Sequence, residues 1–156
     1  MRGDGERALA WQLHVELATR VSAVGLPPDQ GQLTDALTSL HSLFTTARGL
    51  LGAHTPDVEQ TEGDSVHAIG GRLLQNALRP FLTRWHPALD AHMVRLPAGA
   101  DPLEHERGWE HSGQLRAELA ELQVVLREVA EHLADLAGAD SLVPENEPTT
   151  NGKDVR

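Results

Sequence analysis

Near the end of the chain Leu115, Leu119, Leu122, Leu126, Val129, Leu133 and Leu136 recur in alternating steps of four and three. Such steps follow the 3.6-residue turn of an α-helix and place these side chains on one face. A half-buried strand would need period two. The ladder therefore predicts a long amphipathic helix, and such a helix is stable only when other elements cover its apolar face. Gly138 marks its end.

The same spacing identifies the covering elements. From about Glu6 to Val24 the stripe is Leu9, Leu13, Leu17, Val21 and Val24, widened by Trp11, Val15 and Ala18. Gly25-Leu26-Pro27-Pro28 stops this helix, because proline lacks an amide proton and disfavours helix before it. A second seam runs through Leu33, Leu37, Leu40, Phe44, Ala47 and Leu51, opened by an Asp29–Gln32 capping box. The short connection makes these two helices antiparallel neighbours.

A polar stretch from Gly52 to Asp64 reads as a mobile loop. The third helix begins near Asp64 or Ser65, and Leu73, Leu74, Ala77, Leu78, Phe81, Leu82 and Trp85 cover most of its circumference. Its polar stripe is Arg72, Asn76, Arg79, Thr83 and His86, so the pattern predicts a central position. Pro80 predicts a kink. Leu89, Met93 and Leu96 prolong the spacing, and Asp101-Pro102-Leu103-Glu104 opens a short helix or turn.

The fold expected is all-α: a four-helix bundle or close variant, with a proline-kinked central third helix. Residues 1–138 form its single domain and 139–156 a disordered acidic tail. Its core includes Leu37, Leu40, Phe44, Leu74, Leu78, Phe81, Trp85, Leu119, Leu122 and Leu126.

Composition then limits function. With no cysteine, disulfides and thiolate chemistry are excluded. The beginning MRGDGERALAWQL lacks a signal-like apolar run, and no stretch is apolar for long enough to span a bilayer, so the expectation is a soluble cytoplasmic chain without a membrane partner. A net charge of −10 argues against a nucleic-acid partner, which needs clustered cations. The nine histidines show neither Glu-x-x-His nor His-x-x-x-His spacing, Glu128 and His132 fall outside the leucine seam, and His105 and His111 are six apart. No metal site and no cofactor are expected; His41, beside the second seam, is the candidate were one present. Nucleophile and phosphate-loop motifs are missing as well, so no catalytic residue is assigned and the reading is not an enzyme.

Charge is unevenly distributed. Between Ser65 and Leu96, Arg72, Arg79, Arg84 and Arg95 face the single acid Asp90, whereas Glu104 to Asp135 carries eight acids against three arginines. Arg72, Arg79, Arg84 and His86 form the candidate interaction face, with guanidinium groups suited to a carboxylate-rich partner. The competing expectation is neutralisation within the chain by Glu118, Glu121 or Glu128.

The segment LRPFLTRWHPAL, Leu78 to Leu89, resembles an LRPFL-x-x-WHP-x-L segment of certain bacterial helical proteins with no assigned activity. The resemblance implies an accessory component of a bacterial gene cluster and carries over no catalytic residue. The function expected is a non-enzymatic helical protein–protein interaction module, a subunit or adaptor of a bacterial multi-protein system, with a protein partner or self-association. The alternative is a small-ligand or metal-binding bundle using histidines near the kinked third helix.

Overall fold

The computed structural model describes residues 2–24, 32–56 and 63–145, with backbone alone for 21–24. Its elements are α1 (Asp4–Val24), α2 (Leu33–Ala53), α3 (Val66–Arg72), a π-helical turn (Leu73–Leu78), α4 (Arg79–Met93), α5 (Pro102–Arg107) and α6 (Ser112–Ala137). All are helical, and no strand occurs among the described residues. No helix among them is long and apolar enough to cross a membrane. Val21, Val24 and Asp29 of the expected stripe and cap lie outside the described side chains.

α1 packs most extensively, against α6 and α2. Leu9, Ala10, Leu13 and Leu17 are fully buried there. The central place expected for the third helix thus belongs to α1. The third helix instead leaves Arg72, Gln75, Asn76, Arg79, Thr83 and Arg84 exposed to solvent.

α3, the π turn and α4 follow one another with helical backbone at each junction. The amide of Arg79 reaches five residues back to the carbonyl of Leu74. Pro80 then follows as the second residue of α4. The inward stripe of α4 is Leu82, Trp85 and Leu89, continuing from Leu78 of the π turn. Phe81 lies on its flank and is half-buried, as is Phe44 beneath the Arg79 guanidinium, so these two expected core residues are rim residues. The other expected core residues are buried.

On α6 the buried line runs Leu115, Leu119, Leu122, Leu126, Ala130, Leu133 and Ala137, while Val129 and Leu136 are half-buried. A straight helix drifts by about 20° per heptad, which moves the contact line one residue along after Leu126.

Gly138 adopts the left-handed conformation, φ 70°, and ends α6. Beyond it, three of the described residues contact the helices. The Leu142 amide donates to His14 Nε2 at 2.9 Å, Arg127 Nη1 donates to the Pro144 carbonyl at 2.6 Å, and Val143 packs on the core. Residues 142–144 therefore lie against the helices, because a buried imidazole and a guanidinium each find a backbone partner in this segment. The remainder of the expected tail, 146–156, and residues 57–62 of the expected loop lie outside the described residues.

Candidate functional site

Two buried carboxylates fix the frame. Glu6 of α1 accepts from the Val66 amide at 2.8 Å and from Arg2 at 3.0 Å, capping α3. Glu106 of α5 accepts from the amides of Leu33 at 2.6 Å and Thr34 at 3.3 Å, and from the Thr34 hydroxyl at 3.2 Å. Arg116 stands 3.7 Å away. Each carboxylate thus satisfies orphan amides and complements the positive end of another helix. Gln32 itself, extended at the N-cap of α2, makes no side-chain cap, and the amides of the next two residues are taken by Glu106.

α3 and the π turn run alongside α6 with a groove of about 530 Å³ between them. Ile69, Leu73, Ala77, Val125 and Val129 form its apolar floor; Asp64, Arg72, Asn76, Glu128 and His132 form its rim. Val125 is 41% exposed, and the adjacent Val124 56%. Glu128 and His132, one helical turn apart, border an apolar surface as well as solvent. Their sequence positions place them outside the leucine seam but give no sign of the opposite wall.

A second cluster lies where α4, α5 and the 108–111 turn meet. The rings of His92 and His105 stack with centroids 4.0 Å apart and planes within 9°. His92 Nε2 donates to the His105 carbonyl and His105 Nε2 to the His92 carbonyl, both at 2.7 Å. A carbonyl only accepts, so both imidazoles carry their proton on Nε2 when neutral. Trp109 stacks on His92 at 5.5 Å and meets Trp85 edge-on at 6.1 Å.

No family model, curated protein sequence or solved structure matches this chain.

The four residues expected to share an interaction face do not form one patch. Arg72 lies on the groove rim in an ion pair with Asp64. Arg79 sits over the Phe44 ring, 5.6 Å from its centroid. Arg84 donates to Glu118 at 2.8 Å and covers Trp85. His86 Nε2 is 3.7 Å from Asp90, with its ring tilted against His41. A π turn holds an extra residue, which rotates the succeeding helix by about 100°, so a seven-residue spacing across it no longer marks one face. Among the described residues, His41 and its neighbours form no three-ligand metal group.

Proposed function

We propose that this protein is a non-enzymatic helical interaction module, a subunit or adaptor of a bacterial multi-protein system. In this reading the helices form a variant four-helix bundle whose third rod bends at Pro80, and the groove between the π turn and α6 receives an amphipathic helix from a protein partner. The observation that carries the reading is the groove's apolar floor, open to solvent at Val125 and framed by polar side chains. Single exposed valines are ordinary, but a lined apolar groove with a polar rim suits the apolar face of a helix.

Charge defines the partner's other face. Arg72 is already neutralised by Asp64, whereas Glu128 is exposed and has no ion pair among the described residues. Glu121 and Glu131 point outward on the same helix. A helix with leucine or isoleucine anchors and a lysine or arginine flank fits this arrangement better than an acidic partner. The resemblance of LRPFLTRWHPAL agrees with an accessory role.

Selection of helical peptides from a random display library on the immobilised protein tests the reading. The enriched sequences should carry apolar anchors at i, i+3 or i+4 and i+7 with a basic flank. Val125→Glu should abolish their binding at unchanged melting temperature, while Val94→Glu, at an exposed site outside the groove, should not. Binding indifferent to Val125→Glu, or no enrichment, would defeat the reading. Sedimentation of the protein alone distinguishes a second copy as occupant.

A further inference from the structure

Beside the stacked imidazoles lies a cleft of about 230 Å³, bounded by Ala88, Ala91, His92, Arg95, Trp109 and His111, with Glu110 at its edge. Two features distinguish it from aromatic packing. The Arg95 guanidinium has no hydrogen bond or ion pair among the described residues, unlike those of Arg72 and Arg84. The Nε2–H of His92 is committed to the His105 carbonyl, which leaves Nδ1 as its free nitrogen.

We infer that this cleft is a binding site for a single-ring aromatic carboxylate. Trp109 offers a π surface for stacking, and Ala88 and Ala91 supply an apolar wall without bulk. An apolar cavity of about 150 Å³ holds benzene, so this larger cleft accommodates one ring with a carboxylate. Arg95 supplies the bidentate donor that a carboxylate takes best. His92 Nδ1 accepts from a ring hydroxyl or N–H, and the stack with His105 keeps that nitrogen fixed. Glu110 argues for a single negative charge on the ligand; its carboxylate lies 3.4 Å from His111 Nε2, so the imidazole holds it to one side. The cleft is separate from the helix-binding groove, which lies on α3, the π turn and α6.

Titration of the full chain with benzoate, benzyl alcohol and acetate, followed by ¹H–¹⁵N correlation spectra, tests it. Benzoate should give saturable shifts of the Trp109 indole N–H and the Arg95 amide. Benzyl alcohol, with the ring but no charge, should bind at least about tenfold more weakly, and acetate should not saturate. Arg95→Gln should weaken benzoate about tenfold, and Ala91→Glu should abolish binding; both positions are exposed, so the melting temperature should hold. The inference fails if benzoate shifts nothing up to about 10 mM, if acetate shifts the same signals equally, or if Arg95→Gln binds as well as the parent. It also fails if Val125→Glu weakens benzoate as much as Arg95→Gln does, which would move the ligand to the groove.

Discussion

Glu106 is 1% exposed and reaches from α5 to the first turn of α2, where it binds two backbone amides and one hydroxyl. Hydrogen bonds to a buried charged group are stronger than neutral ones, and their loss leaves orphan amides at a helix end. Glu106→Ala is therefore expected to cost about 2–4 kcal/mol in urea unfolding. Glu104→Ala, at an exposed position in the same short helix, should stay within about 0.5 kcal/mol. A loss below about 1 kcal/mol for Glu106→Ala would mean that water replaces the carboxylate and the cap is not structural. Nothing local in the sequence marks Glu106, because its partners lie 73 and 72 residues away and most glutamates are exposed. The Asp29–Gln32 pattern predicts a helix capped by Asp29, which lies outside the described residues, whereas α2 begins after Gln32 and the group that binds its first amides comes from another element.

At the scale of the element, the third rod shows both what periodicity reveals and what it hides. Steps of three and four located the rod and most of its inward residues, since burial selects apolar side chains on one face. The π turn carries no such mark: Leu73–Leu78 is an ordinary helical composition, so the rotation between Arg72 and Arg79 was invisible. Phe81 follows the same logic. As a half-buried rim residue, Phe81→Ala should cost about 1–2 kcal/mol, against about 2–5 kcal/mol for the fully buried Leu78→Ala. Equal losses for the two variants would place Phe81 in the core after all. The adjacent glycines of α3 give a sharper comparison. A Cβ on Gly71 meets nothing within 4 Å, so Gly71→Ala should stabilise by about 0.5–1 kcal/mol through helix propensity. A Cβ on Gly70 would stand 2.9 Å from Leu51 Cδ2, and the Leu51 side chain must shift to admit it. Gly70→Ala should therefore be less stable than Gly71→Ala by at least about 0.5 kcal/mol, read as the difference in urea midpoint at constant slope.

Across the whole molecule, α1 joins the two ends of the fold through His14. This side chain is fully buried on the leucine-lined face of α1. An amide can only donate, so the Leu142 contact makes Nε2 an acceptor, and Nδ1 must then be the donor to the Ala130 carbonyl at 2.6 Å. Both nitrogens of a buried imidazole are thus satisfied, one by α6 and one by the segment after it, with Trp11 stacked on the ring at 5.2 Å. Composition alone drew the domain boundary at Gly138, because prolines and acids beyond it cannot bury much surface. Position 14, beside Leu13 and within the apolar stripe, was the available clue that a polar group inside the core needs two partners. Truncation after Gly138 removes the Leu142 donor, the cover of Val143 and the Arg127 contact with Pro144. It should cost about 1–3 kcal/mol, chiefly from the orphaned imidazole nitrogen. Truncation after Glu145 keeps all three contacts and is the comparison for the shorter chain. His14→Phe separates hydrogen bonding from packing: it fills the site but offers no acceptor, so truncation after Gly138 in that background should cost less than in the parent. If the truncation costs the same in both backgrounds, His14 does not anchor the segment, and Val143 packing accounts for the effect.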